Sequence, residues 1–173
     1  MNYQWHTTLK EIYDQAVSDY QAGKRGAADF FTAEQIAFLK GIGHTAQEVY
    51  DFAEDNVNYG EPDWETFLLI AAVRRDYFFV EMEGKHSDQI VESDTLPPKD
   101  AEVEGIVWLP RIIAKAKAKL NGEMNPDLMY GCGGDRKFFN TNKVPPADFL
   151  RYVWAADGDD QRVIDFVKRC AAG

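Results

Sequence analysis

The sequence predicts an all-α fold of two small helical subdomains packed together, with no significant sheet. Three observations carry this expectation. Apolar residues recur at helical spacing through most of the 173 residues. Thr32-Ala33-Glu34-Gln35 and Thr45-Ala46-Gln47-Glu48 both have the capping-box pattern that opens a helix. No run alternates apolar and polar residues long enough to suggest a strand. The expected division is an acidic helical subdomain over 1–83, a linker over 84–104 and a helical domain over 105–173.

Thr7 to Gln21 opens the chain, with Leu9, Ile12, Tyr13, Ala16, Val17 and Tyr20 on one side and Gly23 and Gly26 as stops. The Thr32 box begins a second helix that ends at Gly41-Ile42-Gly43. The Thr45 box begins a third, which buries Val49, Phe52, Ala53 and Val57 and leaves Glu48, Asp51, Glu54 and Asp55 outside. Asp63 caps a fourth, from Trp64 to roughly Met82. Its Phe67 to Val73 and Tyr77 to Val80 stretches are apolar in every direction, which predicts full burial. Arg74, Arg75 and Asp76 interrupt it, and charge in such a helix must be paired or used.

Glu83 to Lys99 is polar, with Gly84, Pro97 and Pro98, and reads as the linker. Val107 to Leu120 is the next helix. Leu109, Ile112, Ile113, Ala116 and Leu120 form its core stripe, and Arg111, Lys115 and Lys119 form a basic stripe on one flank. A loop around Cys132 leads into a short helix. Pro145-Pro146 starts another through Trp154, and Asp160 to Cys170 is the last.

Charge separates the two parts. Residues 1–100 hold 19 acids against 8 Lys and Arg, and residues 101–173 hold 10 against 11, which together make the net −10. That balance argues against nucleic acid and anionic membrane as partners. An anionic small molecule is drawn to the second part, and a basic protein partner to the first. The cysteines, Cys132 and Cys170, form neither a disulfide framework nor a zinc motif. Met1 to His6 lacks the basic and apolar pattern of a signal peptide, and the apolar run Phe67 to Val73 is too short to span a bilayer. The expected location is the cytoplasm.

The segment Tyr130-Gly131-Cys132-Gly133-Gly134-Asp135-Arg136-Lys137-Phe138-Phe139 is the strongest candidate for a site. Glycines allow close backbone approach to a ligand, and a thiol at a helix start lies near the positive end of the helix dipole. In this reading Cys132 and Asp135 are the catalytic candidates. Arg111, Lys115, Lys119, Tyr130 and Arg136 are the ligand-binding ones, with Arg74 and Asp76 lining a cavity between the halves. The alternative has Cys132 and the Phe138-Phe139 pair as core and Asp135 as a helix cap. The three histidines, His6, His44 and His86, all lie in the other half, so no base for the thiol is visible. No metal and no cofactor is expected. His44, Glu48 and Asp51 have ligand spacing, but His44 precedes the helix cap. Glu83-Gly84-Lys85-His86 has the Glu-x-x-His pattern, but Gly84 ends the helix there.

From Val107 onward several residues form a recognisable set. They are Leu109-Pro110-Arg111, Lys115 to Leu120 with Gly122, Tyr130, Cys132, Asp135, Arg136, Phe138 and Phe139, then Phe149 and the turn Asp157-Gly158-Asp159. This part resembles a bacterial family catalogued as a domain of unknown function, number five-zero-six-nine. The resemblance covers about two-fifths of the chain, implies a small helical domain and supplies no reaction. Family members often have proline and leucine after the cysteine. Gly133 and Gly134 stand there in this sequence, which opens the loop. Two functions follow as expectations. The first is a small-molecule enzyme or binding protein for a carboxylate or phosphate ligand at the Cys132 loop. The second is a non-catalytic interaction module that presents the acidic first half.

Overall fold

Side-chain caps at Thr32, Thr45, Asp63 and Asp159 set the starts of four of the helices along this chain. A computed structural model describes residues 3–173, and Met1 and Asn2 lie outside the described residues. It divides into two compact units, Met1–Gly84 and Lys85–Gly173.

The first unit contains α1 (Trp5–Gln21), a short 3-10 turn (Ala27–Asp29), α2 (Ala33–Gly41), α3 (Ala46–Tyr59) and α4 (Trp64–Val80). The Thr32 capping box is complete. Thr32 Oγ1 accepts from the Gln35 N–H at 3.3 Å, and Gln35 Oε1 accepts from the Thr32 N–H at 2.8 Å. The Thr45 box is half made. Thr45 Oγ1 accepts from the Glu48 N–H, but the Glu48 carboxylate turns to His44 Nδ1 at 2.9 Å. His44 is buried, and its Nε2 lies 3.1 Å from the Ala71 carbonyl oxygen, so the start of α3 is tied to α4. Asp63 caps α4 by accepting from the Thr66 N–H at 2.9 Å, and those bonds hold its carboxyl below the usual range. α1 packs against α3. Tyr13 stacks on Phe67 at 5.3 Å, and Phe52 lies 4.6 Å from the same ring.

The burial expected for α4 needs correction. Phe67, Ile70, Ala71, Val73 and Phe78 are buried, but Leu69 is 54% exposed and Val80 64%. Arg74 and Arg75 occupy the buried face instead. Arg74 lies over the Phe78 ring at 5.3 Å and donates to Met82 Sδ at 3.4 Å, while Arg75 lies over Trp5 and Phe79 at 5.0 and 4.9 Å. Planar guanidinium groups can be stacked on aromatic faces, which lets them take core positions that apolar periodicity assigns elsewhere.

The second unit contains β1 (Glu102–Val103), β2 (Ile106–Val107), α5 (Leu109–Asn121), α6 (Gly133–Asn142), α7 (Pro146–Ala156) and α8 (Asp160–Ala172). α5 packs on α7, and α8 packs on both α6 and α7. The two-residue strands form an antiparallel hairpin, Glu102 opposite Val107 and Val103 opposite Ile106. Its turn residues, Glu104 and Gly105, have φ of 51° and 78°, as a type I′ turn requires. Alternation over such short strands is too brief to read, so the hairpin lies beyond the sequence expectation. Among the described residues it is the only sheet, and the fold is all-α.

The stretch expected as a linker over 84–104 is, from Lys85 onward, folded into the second unit. The Val91 N–H donates to Glu123 O at 2.7 Å, Ser87 Oγ to Glu123 Oε1 at 2.6 Å, and Asn125 Nδ2 to Glu92 Oε2 at 2.6 Å. Leu96 is buried. Polar composition concealed this because backbone and carboxylate hydrogen bonds, rather than apolar burial, fasten most of the segment. No helix among the described residues is long and apolar enough to cross a membrane.

Candidate functional site

The hairpin delivers Trp108 to the start of α5 in an unusual conformation, with φ 75° and ψ −20°. A non-glycine residue holds the left-handed region at a cost of about 1–3 kcal/mol, so its surroundings must determine it. Three contacts do so. The Trp108 N–H donates to Ala101 O at 2.9 Å. The indole Nε1–H donates to Asp135 Oδ1 at 2.9 Å. The ring lies flush against Gly134, where an added Cβ would come within 2.6 Å of Trp108 Cη2. Gly134 is therefore required by the close approach of an indole.

Behind this wall is a buried ionic cluster. Asp135 is 0% exposed and Lys115 3%, and the Lys115 ammonium donates to Asp135 Oδ2 in a short hydrogen bond. The Gly131 N–H donates to the same oxygen at 2.9 Å. Lys115 Nζ also lies 3.4 Å from Cys132 Sγ. Cys132, half-exposed, occupies the N-cap position of α6 without capping it through its side chain. Asp135, in the first turn, instead reaches back to the preceding loop. Cys132, Lys115, Asp135 and Trp108 thus form one continuous chain of contacts from a helix start to an indole.

The indole and Gly134 both line an open cavity of about 400 Å³. Val107, Trp108 and Phe138 supply apolar wall, Thr141 and Asn142 polar atoms, and Lys99 and Lys137 positive charge. Lys99 and Lys137 make no ion pair among the described residues. A cavity with an aromatic floor and two cations at its edge suits a flat ligand that carries an acid group.

The structure brings together part of the set expected from sequence. Cys132, Asp135 and Lys115 meet, but they form the support of the wall and do not line the cavity. Asp135 is wholly enclosed, so it is not placed as an acid facing a ligand. Lys119 lies one turn beyond Lys115 and is buried, and desolvation pushes its ammonium down to about 7. The stripe expected on a flank of α5 therefore points inward at Lys115 and Lys119. Arg111 turns to the polar strap, donating to Pro97 O at 2.8 Å beside the Trp108 ring at 5.9 Å. Arg136 donates to Gly131 O at 3.0 Å and closes the loop. Tyr130 is core: its hydroxyl donates to Pro146 O at 2.7 Å, and burial raises its pKa well above the ordinary value. Arg74 and Asp76 belong to the first unit, where Asp76 is exposed and 3.4 Å from Arg75.

The acidic residues expected outside α3 are half-buried and engaged. Glu48 meets His44, Gln47 Nε2 donates to Asp51 at 2.7 Å, and Tyr20 donates to Glu54 at 2.8 Å. This removes much of the free acidic face that an interaction module would present. Among the described residues, no group of three His, Cys, Asp or Glu side chains is placed to hold a metal ion.

Sequence reasoning missed Trp108 and Lys99 as site residues and read Lys137 and Phe138 as charge and core. The available signal was Glu104-Gly105 between Val103 and the β-branched pair Ile106-Val107, a turn signal just before Trp108. No family model, no curated protein and no solved structure matches this chain.

Proposed function

We propose that the second unit binds a small anionic ligand with a flat apolar body, seated on Trp108 and Phe138 with its carboxylate or phosphate turned to Lys99 and Lys137. The observation that carries this reading is the cavity itself, where an indole held in a strained conformation faces two lysines without ion pairs. Fixed aromatic walls give affinity at low entropic cost, and the cations select charge. The ligand class is the one expected from the basic balance of residues 101–173. Its seat lies beside the Cys132 loop, and Gly134 lines it. A cytoplasmic setting, and kinship of residues 107–173 with the family of unknown function, belong to the same proposal.

The test is a titration with 2-naphthoate, its uncharged alcohol and inorganic phosphate, followed through the Trp108 indole N–H resonance. Naphthoate is expected to shift that resonance and to bind about tenfold more weakly to Lys137→Glu or Lys99→Glu, a change of about 1.4 kcal/mol. Equal binding of the alcohol, or an unmoved Trp108 resonance, would overturn the reading.

A further inference from the structure

α4 leaves one side open to solvent, and a ligand in the cavity of the second unit makes no use of it. Glu65, Leu69, Ala72, Asp76 and Val80 follow one another at alternating helical steps of four and three or four residues, which sets them in a single row along the helix. Leu69 and Val80 are exposed together with both acids, Ala72 is half-buried, and the half-buried Leu68 and Phe79 flank the row. The row runs nearly the whole length of a 17-residue helix, about 25 Å. Its charge has one sign. Every acid from Glu61 to Glu83 is exposed, whereas the only Lys or Arg in that stretch, Arg74 and Arg75, are buried against aromatic rings. Asp76 lies 3.4 Å from Arg75, yet its side chain is 57% exposed. An apolar row rimmed by charge of one sign marks a docking surface. A second copy of this chain is a poor occupant, because a two-fold contact through the row sets Glu65 and Asp76 against the same acids. An anionic lipid surface meets the same repulsion.

We propose that this face of α4 docks a basic amphipathic helix of a partner protein. Apolar side chains spaced by three and four residues on the partner pack against Leu69, Ala72 and Val80, and lysines or arginines at its borders meet Glu65 and Asp76. The apolar row supplies the contact area, and the opposed charges set the orientation and speed the encounter.

The probe is a fluorescein-labelled peptide of leucine and lysine in amphipathic order, matched to α4 in length, with a version carrying glutamate for lysine as its opposite. Full-length protein is titrated into each, and binding is read by fluorescence anisotropy at about 0.15 M salt, where weak long-range attraction is screened. The lysine peptide is expected to bind and the glutamate peptide to remain free. Leu69→Ser/Val80→Ser and Glu65→Lys/Asp76→Lys should each weaken binding about tenfold or more. Both change exposed side chains, so their helical circular dichroism should match the parent's. Glu11→Lys/Asp29→Lys makes the same change of net charge at exposed positions outside α4 and should bind as the parent does. Equal weakening by that control would reduce the effect to net charge and overturn the site. A lysine peptide that does not bind, or that binds Leu69→Ser/Val80→Ser as tightly as the parent, would overturn it as well. A parent dimer in sedimentation that Leu69→Ser/Val80→Ser dissolves would assign the face to a second copy and overturn the basic partner.

Discussion

In the first unit, Arg74 and Arg75 are buried against aromatic rings. In the second, Lys115 and Lys119 are buried, one against a carboxylate and a thiol and the other with its ammonium form disfavoured by desolvation. The contrast follows from the cations. A guanidinium spreads its charge and can be satisfied by π faces, sulfur and carbonyl oxygens, so its burial reads as architecture. An ammonium is compact and strongly hydrated, and taking it out of water costs several kcal/mol unless a good partner is present. Lys115, bonded to Asp135 beside a thiol and behind a cavity wall, is more than a helix needs for packing.

The largest expected effect lies in the Lys115–Asp135 pair. Lys115→Met leaves Asp135 as a fully enclosed charge and should cost about 3–5 kcal/mol. Lys115→Met/Asp135→Asn should recover most of that loss, because no charge is then stranded. Denaturant unfolding measures both. A single variant as stable as the parent would mean that the cluster is not the buried ion pair that separates the two units.

Lys119 gives the next effect, and its sign is fixed by linkage. Its ammonium titrates near 7 in the folded chain against 10.5 when unfolded. Below about pH 7 both states hold the proton, and this contribution does not change with pH. Between about 7 and 10.5 the unfolded chain holds more protons, so stability rises with pH, by at most about 1.4 kcal/mol per pH unit. Above 10.5 this contribution is level. Lys119→Met should therefore flatten the slope of stability between pH 7 and 10. A parent protein whose stability does not rise more steeply than that of Lys119→Met over that range would sink this account.

Much of the fold was legible because local signals agree with the helices they open. Thr32, Thr45 and Asp63 cap where expected, and the apolar spacing of α1 and α3 matches their buried faces except at Val17 and Val57, which are half-buried. The Cys132 loop was legible as a cluster because a thiol, an acid and glycines share a few residues. The orientation of α5 was not. Arg111, Lys115 and Lys119 look like a solvated stripe, but Lys115 meets Asp135 on α6 and Lys119 is buried. Trp108 was illegible for a related reason. Its role depends on a hairpin of two-residue strands and on Gly134, which lies 26 residues away in sequence. Nonlocal pairing leaves no periodicity to read.

Gly134→Ala sharpens the comparison within the second unit. The added methyl would meet the indole at 2.6 Å, so either the ring or the start of α6 must move. The expected loss is about 1–3 kcal/mol, with a displaced Trp108 resonance and weaker naphthoate binding. Gly133→Ala is the control, because its Cβ would lie 3.7 Å from the nearest atom outside its neighbours, the flexible end of Arg136. Equal losses from the two would show that glycine at 134 serves helix entry rather than the indole.

The smallest effect is expected at Arg75 and Asp76. Their separation is 3.4 Å, but the Asp76 side chain is 57% exposed, so water screens the pair. If Arg75 is held chiefly by the Trp5 and Phe79 rings, Asp76→Asn should change stability by less than about 0.5 kcal/mol. Arg75→Met, which keeps the apolar stem and removes the stacked guanidinium, should cost more than Asp76→Asn. A guanidinium seated over one aromatic ring is worth about 0.5–1 kcal/mol. An equal or larger loss from Asp76→Asn would place the ion pair, and not the rings, in charge of Arg75. The first unit would then bury its cations by the same means as the second, and the contrast between arginine as architecture and lysine as candidate chemistry would fail.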